Sequence, residues 1–123
     1  MEKQESQKVI GEISMQVIRE GKIVLEKTVY NSITNAGFAA MAGLVGNTGA
    51  VTAFTYLAVG SSSTAFSASQ TALGAEISTN GLSRVSATVS RVTTTQTNDT
   101  LNLTTTFSVS GTSAVEEIGA FNA

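Results

Sequence analysis

A chain of 123 residues with no His and no Cys has room for one modest core. It lacks the side chains for Ser/His/Asp or Cys/His nucleophilic catalysis, for Cys-based zinc sites and for disulfides. Its formal net charge of −2 offers nucleic acid no electrostatic footprint, no apolar run reaches the roughly 18 residues of a membrane span, and the polar start MEKQESQK predicts no secretory leader.

Charged residues make up 13 % of the chain, about half the usual share, and they are unevenly spread. Beyond Tyr30 only Glu76, Arg84, Arg91, Asp99, Glu116 and Glu117 are charged. The first quarter therefore has an ordinary solvated surface, and the rest has a Ser/Thr/Ala/Gly one. A weakly charged hydroxyl surface suits a subunit of a symmetric assembly better than a free monomer. The absence of Pro leaves Gly, Asn and Ser to shape the loops.

Residues 1–8 read as a polar, mobile arm that orders on docking. Val9–Arg19 and Lys22–Tyr30 read as a hairpin around a Glu20-Gly21 turn. Its core-facing side is the odd-numbered one, with Ile13, Met15 and Val17 matched to Ile23, Leu25 and Val29. Over Asn31–Asn47 the apolar period changes to that of a helix, with Phe38, Met41, Ala42 and Val45 recurring. A short helix is predicted from Asn35 to Val45, capped by Thr34 or Asn35 and stopped at Gly46-Asn47. Gly37 and Gly43 weaken it by about 1 kcal/mol each relative to Ala. Being apolar on most faces, it is expected to be largely buried, capping an open end of the β-structure.

Val51–Val59 reads as a strand, broken by Gly60-Ser61-Ser62-Ser63-Thr64. Residues 65–81 read as a loop with one helical turn near Gln70–Leu73, closed by an Asn80-Gly81 turn. Then comes the longest feature, a ribbon from Leu82 to Val109 in which β-branched residues alternate with Ser and Thr. Val85, Ala87 and Val89 are odd-numbered, as are Leu101, Leu103, Phe107 and Val109. These sets share one face only if the loop at Asn98-Asp99 is odd in length, so an odd loop and a buried odd face are expected. Val92 falls out of phase and marks a bulge or a second packing surface. Gly111 ends the ribbon, and Ala114–Ala123 contains the last strand. The sum is a single mainly-β domain over residues 9–123: an antiparallel β-sandwich or barrel-like fold with one short helix over residues 35–45.

No catalytic, cofactor-binding or metal-ligating residue is expected. Glu116 and Glu117 are neighbours in a strand, point to opposite faces and cannot converge as an acid–base pair. Asp99 suits a turn. Glu76, isolated among uncharged residues, suits a structural ion pair with Arg84 or Arg91, within the subunit or across an interface. The Gly-Ser-Ser-Ser-Thr run lacks the GK[ST] ending of a phosphate cradle. Asn98-Asp99-Thr100 and Asn102-Leu103-Thr104 match the glycosylation sequon without a leader to support its use. The Thr-rich ribbon reads as β-propensity rather than as a flat array for ice or polysaccharide. The interface candidates are Arg91, Thr93, Thr95, Thr104 and Thr106, taken as the face opposite the apolar one, together with Glu116.

The succession NSITNAGFAAMAGLVGN, FTYLAVGSSSTAFSASQTALGAEI, a strand carrying Arg84 and Arg91, LTTTFSV and EEIGAFNA resembles small structural proteins of tailed bacteriophages over residues 30–123. The resemblance implies a non-enzymatic virion component assembled in the host cytoplasm: a capsid decoration (cement) protein, or a fibre or baseplate module that binds a host surface. It implies an oligomer, trimer favoured, with the major capsid protein or other virion proteins as partners, and no nucleic acid or membrane. The family pattern continues past FNA into closing strands. A chain without them has an open edge beside Val115–Phe121, available to another chain. A hydrolase conflicts with the missing His and Cys, and a surface filament subunit requires a secretion route.

Overall fold

The computed structural model describes residues 8–123, so the expected arm lies, except for Lys8, outside the described residues. The element order is β1 (Gly11–Arg19), β2 (Lys22–Asn31), α1 (Asn35–Gly46), β3 (Tyr56–Gly60), β4 (Val85–Ser86), β5 (Thr88–Val92), β6 (Thr100–Thr104) and β7 (Glu117–Phe121). The fold is mainly β, with one short helix among the described residues. Among the described residues the strands form three antiparallel sheets: β1-β2, β4-β3-β7 and β5-β6.

The first hairpin forms because Glu20 and Gly21 both take positive φ, 52° and 75°, as a type I′ turn requires. Ile13 faces Val29 and Val17 faces Leu25, which places them on the expected side. Ile23 is the exception. A bulge leaves Val24 as an extra residue, so Ile23 pairs with Ile18 and joins the opposite, even-numbered face. On that face Ser14 and Thr28 share a hydroxyl hydrogen bond of 3.0 Å, and Gln16 donates to Glu26 at 3.2 Å. The odd side is not core-facing within the described residues. The hairpin's extensive contacts are between its own strands, and every residue of β2 is exposed.

The helix starts where Thr34 Oγ1 accepts the Gly37 N–H at 3.0 Å and ends where Asn47 turns left-handed at φ 48°. Its burial departs from expectation. Gly43 is its one buried residue, while Phe38 and Leu44 are exposed and Val45 is 92 % exposed. The helix is held at its start and by the segment on its C-terminal side. The Asn35 N–H donates to Ala68 O at 2.8 Å, and Val51 presses on Gly43 so closely that a Cβ there would meet Val51 Cγ2 at 2.7 Å. It caps no sheet.

The core sits on β3. Ala58, Val59 and Leu82 are its buried apolar residues. β7 lines one edge of β3 along its whole length, and β4 then Glu76 line the other. The strand expected from Val51 begins at Tyr56 instead. Of the preceding five residues only Thr55 extends the pairing, donating to Phe121 O and accepting from Ala87 N. No helical turn forms near Gln70–Leu73. The segment there is turn and bend, with Gln70 N donating to Ser67 O. A sandwich core would bury the inner faces of two sheets, whereas three apolar side chains are buried among the described residues.

The long ribbon is shorter and broken. The Ala87 N–H goes to Thr55 O, so β4 belongs to the central sheet and β5 starts a separate hairpin. β6 ends at Thr104, and Thr105–Val109 run on outside any strand. Within β5-β6 the parity is as expected. Val89 faces Leu103 and Arg91 faces Leu101 across an odd loop, Thr93–Asp99, of seven residues. Val92 lies in register opposite Thr100, so it marks no bulge and stands on the hydroxyl face. The odd face is not buried: Val89 is 43 % and Leu101 56 % exposed.

These exposures add up. The chain presents 9351 Å² to solvent, whereas a compact monomer of this size presents about 6200 Å².

Candidate interaction surfaces

Glu76 and Arg84 meet at the rim of the central sheet. Arg84 Nε donates to Glu76 Oε2 at 3.2 Å, and its terminal nitrogens reach Glu76 Oε1 and the Ala123 carbonyl. The guanidinium lies 3.8 Å from the centroid of the Phe121 ring. One side chain thus joins the loop before β4, the end of β7 and the last residue. The pair is bidentate and planar, which a lysine cannot copy. Both side chains are about a third exposed, so solvent screens the pair. Arg84→Lys is expected to cost about 1 kcal/mol, less at high salt, in thermal melts at fixed protein concentration.

Glu117 holds the central loop, a role that no sequence feature marks. Its carboxylate accepts three backbone N–H groups, from Ser62 at 3.1 Å, Gly74 at 2.7 Å and Ala75 at 2.8 Å. Partial desolvation pushes its proton affinity up. The three hydrogen bonds outweigh this and hold the carboxyl below its ordinary range. A carboxylate whose partners are all backbone leaves no charge pattern to read. Glu116, its neighbour, is exposed and uses its backbone N–H on Gly60 O.

Asp99 is likewise used locally. Its two oxygens accept the N–H groups of Thr94, Thr95 and Gln96 and the hydroxyls of Thr94 and Thr100. Hydrogen bonds from Gln96 and Thr94 are the main cause of a carboxyl held far below its usual range. Thr93 and Thr95 belong to this turn, Thr93 Oγ1 accepting from Asn98 N at 3.0 Å, and so they are not on a strand face.

The expected interface set is therefore divided. Thr104 stands on a hydroxyl face with Thr88, Ser90, Thr100 and Asn102. Thr106 lies past β6 and lines an open groove beside Arg84 and Phe107. Arg91 is on the other side of the hairpin. Two residues from Val89 and directly across from Leu101, it projects from the apolar face rather than the one opposite. The structure brings Glu76 to Arg84 and leaves Arg91 apart from both.

The carboxylates at Glu76, Asp99 and Glu117 are each occupied by structural partners. Among the described residues no three His, Cys, Asp or Glu side chains cluster as metal ligands, and no helix is long and apolar enough to cross a membrane. What the molecule does offer is apolar surface on separate elements: Ile18, Ile23, Val24, Leu25 and Tyr30 on the first hairpin, Phe38 and Val45 on α1, and Val89 and Leu101 on the second hairpin. Compared with protein-family models, curated proteins and solved structures, the chain matches none.

Proposed function

We propose that the chain is a non-enzymatic structural subunit of a tailed-phage virion, a capsid decoration protein that binds the shell and its sister subunits, most simply as a trimer. The carrying observation is the surplus of exposed surface, about half as much again as a compact monomer shows. An isolated two-stranded hairpin is marginal in water, and among the described residues β1-β2 has no sheet of its own chain behind it. Large apolar patches on a soluble chain mark contact surfaces. The phage setting rests on the sequence resemblance over residues 30–123, and the need for partners rests on the exposed surface.

Copy number tests the reading. Quantitative mass spectrometry of purified particles is expected to find the protein in hundreds of copies per virion. Tens of copies or fewer would favour the fibre or baseplate reading, and absence from particles would overturn both.

A further inference from the structure

Six charged side chains lie beyond Asn31, and the fold consumes four of them. Glu76 and Arg84 neutralise each other. Asp99 is wrapped by its own turn, and Glu117 is wrapped by the central loop. The remaining two are one cation and one anion, Arg91 and Glu116. Both are exposed, and among the described residues neither side chain has an ion-pair or hydrogen-bond partner.

Their settings differ from those of ordinary surface charges. Arg91 rises from an apolar strip, with Val89 beside it and Leu101 across from it, both substantially exposed. Covering that strip would bury the Arg stem, and a covered guanidinium needs a carboxylate. Glu116 immediately precedes β7, whose one strand neighbour among the described residues is β3, so the other edge of β7 is open there. An open edge pairs readily with another chain.

We infer that the outer edge of β5 on one copy, which has no strand neighbour among the described residues, pairs with the open β7 edge of a second copy, setting Arg91 of the first beside Glu116 of the second and carrying the apolar face of β5-β6 onto that copy. This rests on the reading of the chain as a subunit of an assembly. The occupant is a second copy for two reasons. The first is area: the surplus surface is roughly 3000 Å² per chain, where a standard interface takes about 800 Å² from each partner. That much surface, on several elements, fits an obligate homo-oligomer better than one docking footprint. The second is charge: after internal pairing, this part of the chain has one unspent charge of each sign, so two copies complement each other without a third component. The two patches are different, so the contact is head-to-tail, and a rotation that closes on itself makes it a ring.

A charge swap tests the pairing. Sedimentation velocity and native mass spectrometry of the purified full chain are expected to show one discrete oligomer. Arg91→Glu or Glu116→Arg alone should raise its dissociation constant by about tenfold or more. The double swap should return it to within about threefold of the wild type. Arg91→Gln and Glu116→Gln should weaken assembly in the same direction, and they serve where a reversal disturbs the circular-dichroism spectrum. A monomeric wild type, single variants that assemble like the wild type, or a double swap as weak as the singles would each overturn the inference. Copy number in particles is read independently, so the pairing can fail while the virion reading stands.

Discussion

Glu117→Ala is expected to lower the stability of the chain by about 2 kcal/mol, or on the order of 8 °C in melting temperature. The loss comes from three backbone donors at once, since the N–H groups of Ser62, Gly74 and Ala75 all end on this carboxylate. Two of them lie about a dozen residues beyond the first. One side chain therefore closes the loop between β3 and Glu76 and fixes it to β7. Water can replace part of what is lost at a half-buried site, which keeps the cost below the sum of three charged hydrogen bonds. The variant should also be cut faster than the wild type within residues 61–75, because the loop then keeps only scattered ties such as Ser61 N to Ala75 O at 2.9 Å and Asn35 N to Ala68 O at 2.8 Å. Cleavage within the loop at the wild-type rate would show that the carboxylate is not what holds it.

The same residue predicts an acid dependence. Its folded carboxyl titrates below its unfolded value, so the unfolded state binds the proton more readily. The stabilisation is complete above the ordinary carboxylate range and fades as pH falls through the lower folded value. The stability difference between the wild type and Glu117→Gln should therefore shrink on acidification. Asp99 is shifted in the same direction and is retained in both proteins, so it leaves that difference unchanged. A gap that widens in acid would contradict the assignment. Urea titrations at several pH values measure it.

Local chemistry is legible in the sequence wherever a few neighbouring residues decide the outcome. Gly21, Thr34 and Asn47 set a turn and two helix ends by their own preferences, and each lies where its residue type predicts. Parity requires an odd loop in the second hairpin, and Val89 does face Leu103. Long-range competition is not legible. Alternation over Leu82–Val109 fits one ribbon, yet Ala87 is claimed by Thr55, a partner about 30 residues away. A one-residue bulge at Val24 is enough to move Ile23 to the other face. Burial is the least legible property. An apolar helix or an alternating strand states that a face must be covered but not what covers it. Phe38, Leu25 and Val89 read as core residues and instead lie open. Three separate elements depart in the same direction: each leaves apolar residues exposed among the described residues.

The larger effect on the fold is expected at Gly81. Asn80 and Gly81 both take positive φ, 56° and 78°. Their turn is closed by Leu82 N donating to Thr79 O at 3.0 Å, and it delivers Leu82 into the core. It is also a joint. Ser110 N donates to Asn80 O at 2.9 Å, and Asn80 Nδ2 donates to Thr112 O and Ser113 Oγ at 3.2 and 3.0 Å. Gly81→Ala therefore meets two penalties. An L-residue in the left-handed region costs about 1 kcal/mol. The new Cβ would also run into the Ser108 carbonyl, which is backbone and cannot swing aside, so the segment after β6 must shift at a further cost of about 2 kcal/mol. Gly21→Ala separates the two terms. Its φ of 75° is nearly the same, and a Cβ there has nothing within 4 Å. It should lose about 1 kcal/mol against about 3 for Gly81→Ala, in urea titrations read by circular dichroism. Equal losses would show that Ser108 does not pack against the turn. The contact would then contribute nothing to placing Leu82, and the core would rest on β3 and its neighbouring strands alone.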